Sequence, residues 1–431
     1  MFFPVHLLVP FALVALAQPQ TAPDNRGPIN RHLPPWLTLG TELRLRLERP
    51  TGIAFTAGEN DTYLLTRTRL QIGIEPKSWI RFFAEGQDSR VSDQTKLPGR
   101  PNFHNPFDLR QAYASLGGKD GPFELRVGRQ ELTFGAERLV GINHWNNFPR
   151  TFDAVKAQFR HGQRSMDIFS ASVVAVDPDG ADLRRDGEFL HGINALWPVR
   201  SLRLSMEPFL LYRSRRNSFQ RGVAGSDAYT GGFYLNAKPR ESLQYIMEVA
   251  WQRGRVGAES LQAFYGLWKV TATPFNNKSL PGFVAEHSYA SGDSRPGDGK
   301  RETFEHLYPR LHPIWGIADQ LAGRNLHNLR LGAEWPFSKK TTFLADYHFF
   351  WLASRNDGIY AGNGRVLVPA VPGGAANSDI GREIDLQIIH KFNQQWLLGI
   401  GFARIFPGSF LNRQTTGSAF TYPHIFLQFN L

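Results

Sequence analysis

The chain contains no cysteine, which excludes disulfide bonds and thiolate metal sites. It also lacks the short motifs that usually mark catalysis. There is no G-x-S-x-G and no H-E-x-x-H, and the 13 histidines are scattered along the sequence. We therefore predict a protein that is not an enzyme, with no cofactor, no catalytic site and no metal site.

A run of ~20 apolar residues, the length that a helix needs to cross a bilayer, is also missing. The apolar run of residues 7–16 is too short, and Ala15-Leu16-Ala17 forms a small-x-small cleavage site. This pattern predicts a signal peptide over 1–17 and Sec-type export, although His6 replaces the usual Lys or Arg near its start. A polar, proline-rich segment over 18–35 follows, and we assign 36–431 to one folded unit.

Alternation with a period of two is the dominant pattern of the remaining chain. Leu43 and Leu45 share one face of the first such stretch, and Arg44 and Arg46 share the other. Strict alternation predicts strands rather than helices. We predict eighteen strands, near residues 36–48, 63–75, 78–87, 108–117, 122–131, 152–160, 165–175, 187–197, 201–213, 228–238, 242–254, 260–272, 280–291, 326–336, 340–353, 380–392, 395–406 and 421–431.

The connections between these strands alternate between tight and long. Pro76-Lys77 and Asn393-Gln394 are examples of the tight set, and 132–151 and 292–325 belong to the long set. Tight turns at one end and long loops at the other are typical of an outer-membrane barrel. We therefore predict an all-β fold, a transmembrane antiparallel β-barrel of about 18 strands with short periplasmic turns and long extracellular loops. Aromatic residues at strand ends would form its girdles: Trp36, Tyr63, Trp79, Trp197, Trp251, Trp335, Trp351 and Tyr422.

The polar faces of the strands would then line the lumen. The net charge of +11 favours an anionic partner, and rings of arginine suit an anion-conducting pore. An alternative is that arginine–glutamate ladders only satisfy buried charge across the lumen. The predicted pore-lining or substrate-binding residues are Arg44, Arg46, Arg67, Arg69, Arg81, Glu85, Arg110, Arg129, Arg203 and Arg330.

Two acidic stretches are weaker candidates for cation binding. DPDGADLRRDG (177–187) has the composition of a calcium loop but lacks the final glutamate and flanking helices of an EF-hand. A solvated extracellular loop is the favoured interpretation. The same preference applies to Asp293, Asp298 and Glu302.

Three stretches resemble the alginate-export family of outer-membrane porins. RVGRQELTFGAERLVGINHWNNFPRTFDAVKAQF (126–159) is similar to the family's G-R-Q-E to R-x-F-D-A signature. The family's A-S-G-D to R-N-L run resembles residues 289–325, YASGDSRPGDGKRETFEHLYPRLHPIWGIADQLAGRN. Its G-x-E-I-D-L and F-P-G elements resemble the stretches IGREIDLQIIHKF and ARIFPGSFL. The resemblance covers nearly the whole mature chain. It implies an eighteen-stranded barrel with an electropositive pore for anionic polyuronate.

The resemblance also implies a role for the long stretch 292–325. Long loops can cover the pore ends in that family, so this one could gate or plug the channel. The alternative is a loop that only packs on the rim or braces the wall. The gating candidates are Asp293, Phe304, Tyr308, His312, Asp319, Arg324 and Asn325.

The sequence thus predicts an anion-selective channel of the outer membrane that passes an anionic polysaccharide such as alginate. The first alternative is an uptake porin for small anions or oligouronates; a barrel-embedded enzyme and a soluble sugar-binding β protein are the others. The predicted partners are the polysaccharide or its oligosaccharides, outer-membrane lipid and lipopolysaccharide, and periplasmic export machinery. No nucleic acid partner is predicted, and the barrel is expected to be a monomer.

Overall fold

A computed structural model describes residues 29–93, 103–216, 224–274 and 280–431. The predicted signal peptide over 1–17 and most of the predicted segment 18–35 lie outside these ranges. Across the described residues, no helix is both long and apolar enough to cross a bilayer.

Eighteen long strands form the wall of a barrel within the described ranges. They are β1 (Leu37–Glu48), β2 (Tyr63–Lys77), β3 (Ile80–Ser92), β4 (Asn105–Leu116), β5 (Phe123–Gln130), β6 (Phe152–His161), β7 (Arg164–Ala175), β8 (Glu188–Val199), β9 (Leu204–Arg215), β10 (Ser226–Arg240), β11 (Leu243–Val256), β12 (Glu259–Ala272), β13 (Gly282–Ala290), β14 (Leu326–Trp335), β15 (Thr341–Leu352), β16 (Asp379–Lys391), β17 (Trp396–Pro407) and β18 (Phe420–Asn430). The predicted fold class is confirmed, with boundaries that move by a few residues.

Each strand pairs antiparallel with the next one in the chain, and the last strand closes on the first. In that closing pair, Arg44 lies opposite Gln428 and Leu45 opposite Leu427. Closure leaves no unpaired sheet edge, so the backbone polar groups of the wall are satisfied within the protein.

Alternation along each strand separates an apolar outer face from a polar inner face. On β1, Leu43, Leu45 and Leu47 are 45–52% exposed, whereas Arg44 and Arg46 between them are 1–2% exposed. The exposed leucines face the surroundings of the barrel, and the arginines face its interior. The pattern that predicted strands therefore also assigned most faces correctly.

Two of the predicted girdle aromatics point the other way. Tyr63 and Tyr422 are buried inside the barrel, and the Tyr63 hydroxyl donates to Glu48 at 2.7 Å. Both tyrosines share their face with inward-pointing residues of the same strand, such as Leu65 and His424. The tryptophans at strand ends, by contrast, are on the outer face, among them Trp36, Trp79, Trp197, Trp251 and Trp335.

The connections keep the predicted alternation of length. Short turns join β2 to β3 and β16 to β17, and long loops lie at the opposite end of the barrel. The exception at that end is the short connection 257–258 between β11 and β12. Smaller elements decorate the loops: 3-10 turns at Asn30–His32, Ile53–Phe55 and Arg200–Leu202, strands at Leu183–Arg184, Lys300–Arg301, Ile359–Tyr360 and Val366–Val368, and the helix α1 at Ser409–Gln414.

Candidate functional site

Two long loops fold into the barrel rather than over its rim. The first inner loop comprises residues 131–151, between β5 and β6, and the second inner loop comprises residues 291–325, between β13 and β14. Their apolar side chains are buried, including Leu132, Val140, Ile142, Trp145 and Phe148 of the first and Phe304, Tyr308, Trp315, Ile317 and Leu321 of the second. These loops and the inner wall that holds them are the candidate functional site.

The first inner loop is held by the arginines of β1 and β2. Arg44 and Arg67 each donate to the carbonyl oxygen of His144 at 2.9 Å, and Arg67 also reaches the carbonyl of Asn146 at 2.9 Å. Arg46 donates to the carbonyl of Trp145. A guanidinium has five fixed donors, so it can hold several carbonyls at once. These arginines bind the loop backbone in this structure and do not face open space.

Acidic and amide side chains of the wall and of the first inner loop bind several of the inward-facing arginines. Arg67 pairs with Glu42 at 2.5 Å, and Arg110 pairs with both Glu85 and Glu131. Arg69 donates to Gln87 at 2.7 Å. Arg44, Arg46, Arg67, Arg69, Glu85 and Arg110 all lie on the inner face, as expected for pore-lining residues, and all are buried. Their conducting role stays a prediction.

Trp145 joins the first inner loop to the closing seam of the barrel. Its ring stacks on His312 of the second inner loop, with centroids 4.3 Å apart, and the Arg46 guanidinium lies 4.0 Å from its centroid. Its indole N–H donates to the Tyr422 hydroxyl of β18 at 3.2 Å. One side chain thus contacts both inner loops, the first strand and the last.

Glu305 anchors the second inner loop to the opposite wall. Its carboxylate lies 2.6 Å from Arg213 of β9, 3.1 Å from Arg324 and 3.6 Å from Arg301. Gln252 of β11 bonds its backbone in both directions, at 2.7 and 2.9 Å. Burial alone would raise the pKa of this carboxyl, but the guanidiniums of Arg324, Arg213 and Arg301 outweigh it and hold the pKa at about 2.

The far end of the second inner loop is docked on β16. The backbone N–H groups of Ile317 and Ala318 donate to Asp385 at 3.1 Å and Glu383 at 2.9 Å. Gly316 precedes them with φ 87°, and a Cβ there would collide with the Glu383 carboxylate. Only glycine combines this backbone conformation with so close an approach. The loop therefore spans the lumen from the β9–β11 wall to the β16 wall.

The two inner loops also bind each other. The N–H of Gly141 donates to the Tyr308 carbonyl at 2.9 Å, and the N–H of Tyr308 donates to the Leu139 carbonyl at 2.8 Å. Arg138 of the first loop crosses to Glu286 of β13 at 2.6 Å. The loops and the wall thus form one connected assembly inside the barrel.

The predicted gating candidates hold this assembly together. Tyr308 donates to Glu188 of β8 at 2.7 Å, and Phe304 packs on Tyr265 with centroids 5.4 Å apart. His312 contacts Asp319 at 3.0 Å. Arg324 lies 4.2 Å from the centre of the Tyr360 ring.

The remaining two candidates stand where the loop leaves and re-enters the wall. The N–H of Asp293 donates to Asp357 at 3.0 Å. Asn325 donates to the carbonyls of Ser354 and Gly358, each at 3.0 Å. The alternative of a loop resting on the rim does not fit these contacts, whereas plugging and bracing both do.

A second basic cluster lies near the short turns. Arg81 of β3, Arg126 of β5 and Arg160 of β6 surround Glu124 at 3.2, 2.9 and 3.1 Å. Their side chains are 23–25% exposed, unlike the arginines under the first inner loop. We call these three arginines and Glu124 the mouth cluster. Of the predicted pore-lining residues, Arg81 belongs to it.

Arg129 does not line the lumen. Glu124, Arg126 and Gln130 define the inner face of β5, so Arg129 has the opposite parity and points outward. It forms an ion pair with Asp153 of β6 at 2.8 Å, near the long-loop end. Its assignment as a pore-lining residue is therefore corrected.

Arg203 is not a wall residue either. It caps the 3-10 turn Arg200–Leu202 in the left-handed conformation, one residue before β9 begins. Its side chain is exposed and contacts the Pro239 carbonyl at 3.4 Å. The predicted strand began at 201, and the turn occupies its first residues. Arg330, in contrast, faces the lumen, where Asp346 binds it at 2.7 and 3.0 Å.

The candidate calcium loop is occupied by its own hydrogen bonds. Asp182 accepts from the N–H of Asp177 at 2.7 Å and from the Asn105 amide at 2.9 Å. Among the residues that the structure describes, no group of three or more acidic or histidine side chains could hold a metal ion.

Sequence reasoning missed the residues that cross from the loops to the wall. Arg138 forms a buried ion pair with Glu286, and Glu305 with Arg213, over long sequence distances. Alternation does predict that Glu383 and Asp385 face inward, but it does not predict that they accept from backbone groups of the loop. One sequence signal could have indicated the loop residues among them: Arg138 and Glu305 are charged residues that lie beside aromatic residues within predicted loops. A solvated loop seldom combines the two.

A family model described as alginate export matches residues 35–423. The chain belongs to this family. A comparison with curated proteins gave no match.

Solved structures share the barrel of this family member at low identity. OccK9 (OpdG) of Pseudomonas aeruginosa is 13% identical with a TM-score of 0.63, over 92% of this chain and 98% of that one. The outer membrane protein OpdK of the same organism is 12% identical with a TM-score of 0.60, over 91% and 99%. Acinetobacter baumannii OccAB1 is 9% identical with a TM-score of 0.61, over 92% and 96%. Family and fold together identify an outer-membrane porin barrel.

Proposed function

We propose that this member of the alginate-export family is an anion-selective channel that passes an acidic polysaccharide such as alginate across the outer membrane. The mouth cluster is the observation that carries the proposal. It places three guanidiniums around one carboxylate on the inner wall at the short-turn end, and all three are accessible. If the short turns face the periplasm, an anion from that side reaches these arginines first.

The balance of charge in the mouth cluster suits passage rather than tight retention. Glu124 offsets one of the three positive charges, and Lys156 and Asp167 of the same wall pair with each other at 3.6 Å. Conduction needs sites that bind weakly enough to release. Guanidinium also matches the planar geometry of a carboxylate.

The mouth cluster predicts a measurable loss of anion selectivity. We expect R81Q/R160Q to shift the reversal potential in a salt gradient towards that of a non-selective pore, because two accessible positive charges near the conduction path are removed. The shift should be largest below ~0.1 M salt, where screening is weakest. Planar-bilayer recordings of the purified protein would measure it.

A matched control is available at the same end of the barrel. Arg164 and Arg200 are exposed, and Arg164 lies 3.9 Å from the centre of the Trp197 ring on the outer face. R164Q/R200Q removes the same charge outside the lumen and should leave the reversal potential unchanged. Equal shifts in both variants, or a cation-selective native protein, would contradict the proposed selectivity.

A second candidate function is uptake of small anions or oligouronates. It is favoured by the two inner loops, which occupy the lumen in the described conformation and suit small solutes better than a polymer. Current block by a series of oligouronates separates the two proposals. Block that strengthens with chain length supports the polymer channel, and permeation of monomers alone supports uptake.

We infer a monomer that is exported by the Sec route, sits among outer-membrane lipid and lipopolysaccharide and receives polymer from periplasmic export machinery. Family and fold, both those of channels, support a protein without catalytic activity. Incubation of the purified barrel with uronate polymers, followed by chain-length analysis, would reveal any cleavage.

A further inference from the structure

Three arginines stand on the outer face of the barrel near the long-loop end. Arg382 of β16 and Arg404 of β17 each lie three residues from the end of their strand, and Arg49 follows the last residue of β1. All three are exposed. They occupy one sector, since β16, β17, β18 and β1 are consecutive neighbours. We call them the outer arginine set.

The pairing of strands places these residues close together. Arg382 is opposite Phe406, whose ring lies 5.3 Å from the Arg404 guanidinium. Arg404 also contacts the Thr421 hydroxyl of β18 at 3.5 Å. The N–H of Arg49 donates to the carbonyl of Pro423 on the same strand at 3.1 Å. With about 5 Å between neighbouring strands, the set spans roughly three strand spacings.

Some of the other outward arginines of the described chain have carboxylate partners. Arg90 binds Asp88 at 2.9 Å, and Arg129 binds Asp153 at 2.8 Å. No ion pair within the described residues involves Arg49, Arg382 or Arg404. An arginine at the edge of an apolar surface that lacks an internal counter-charge is available to an external anion.

The position of the outer arginine set relative to the membrane indicates which anion it binds. Below it the outer face is apolar, with Ile388, Ile400 and Ile425 exposed. Three residues correspond to about 10 Å along a strand, so the guanidiniums lie at the boundary between the apolar band and the long loops. In an outer-membrane barrel this boundary meets the headgroups of the outer leaflet.

From this placement we infer that the outer arginine set is a binding site for the phosphate groups of the outer-leaflet glycolipid, lipopolysaccharide. Arginine suits this ligand because its planar donors pair with phosphate oxygens in a bidentate way. The aliphatic stem and the stacking on Phe406 keep the Arg404 head at the polar boundary. The site is separate from the lumen and does not depend on what the channel carries.

Lipid retention by the full-length protein tests this site. Wild type and R382Q/R404Q would be purified in detergent and titrated with lipopolysaccharide, with binding followed by native mass spectrometry. We expect about thirtyfold weaker binding by the variant, because it lacks two surface arginines and each contributes ~1 kcal/mol towards an anionic headgroup. R382K/R404K keeps the charge but not the bidentate geometry, and should bind more weakly than wild type and more tightly than R382Q/R404Q.

Two comparisons make the result specific. R184Q/R295Q removes two exposed loop arginines and should bind as wild type does. Dephosphorylated lipopolysaccharide should bind wild type no more tightly than the intact glycolipid binds R382Q/R404Q, which still has Arg49. The inference fails if the phosphate makes no difference, if the loop control loses as much, or if phosphatidylglycerol binds as tightly as lipopolysaccharide. Heat-modifiable gel mobility would confirm that each variant is a folded barrel.

Discussion

Removing the lumenal part of the second inner loop should raise the single-channel conductance several-fold. Glu305 at one end of this part binds Arg213 and Gln252 on one wall. The backbone N–H groups of Ile317 and Ala318 bind Asp385 and Glu383 on another wall. These contacts hold this part of the loop in the lumen. Without this part of the loop, water and ions would fill the space that it occupies in the lumen. Planar-bilayer recording of a variant with 305–323 replaced by a short Gly-Ser linker measures the change.

The structure shows that such a linker can close without strain on the wall. The N–H groups of Phe304 and Asn325 both donate to the carbonyl of Ser291, at 2.9 and 3.3 Å, so the two ends of the deletion are already adjacent. A linker that replaces 295–300, an exposed part of the same loop, is the control and should conduct as wild type does. Unchanged conductance after the lumenal deletion would mean that the loop braces the wall without obstructing the pore.

Substitution of Glu305 by glutamine should release the second inner loop from the β9 wall. The change leaves the buried guanidiniums of Arg213 and Arg324 without their carboxylate. Loss of one partner of a buried ion pair costs about 3–5 kcal/mol. We expect E305Q to make the loop susceptible to proteolysis under conditions where the wild-type loop is resistant. E302Q, in the partly exposed part of the same loop, should be cleaved no faster than wild type.

The same carboxylate predicts an acid dependence of loop docking. Because the folded-state pKa of Glu305, about 2, is below its ordinary value of 4.5, its stabilisation is complete above pH 4.5 and is lost as the pH falls towards 2. Wild-type proteolysis should therefore accelerate between these values, whereas E305Q should show little change over that interval. A wild-type loop that is equally resistant at both ends of the window would contradict this role.

The strands could be predicted because their signal is local. In the second half of β1, leucine and arginine alternate residue by residue, and the pattern fixes both the strand and its faces. Arg129 was assigned to the wrong face because the alternation of inner and outer faces was not applied to every residue of its strand. Arg129 lies an odd number of residues from Glu124 and Arg126 does not, so on the regular strand β5 Arg129 could not share the inner face of Glu124. Arg203 was misplaced because a turn occupies the predicted start of its strand.

The interior assembly could not be predicted in the same way because its contacts are far apart in the sequence. Arg44 and the carbonyl of His144 are 100 residues apart, and Arg138 and Glu286 are 148 apart. No periodic pattern links such partners. Alternation placed Arg44 in the lumen, but only the three-dimensional structure shows that a loop backbone lies against it. A lumen-facing residue is therefore not automatically a residue that meets the solute.

The position of Trp145 has a consequence for the order of assembly. Its surroundings are built from Arg46 of β1, Tyr422 of β18 and His312 of the second inner loop. That pocket does not exist until the last strand has paired with the first, so the first inner loop cannot reach its final position on an open sheet. Docking of Trp145 is thus expected after the barrel has closed, and the difference in fluorescence between wild type and W145F would time that step among the ten tryptophans of the chain.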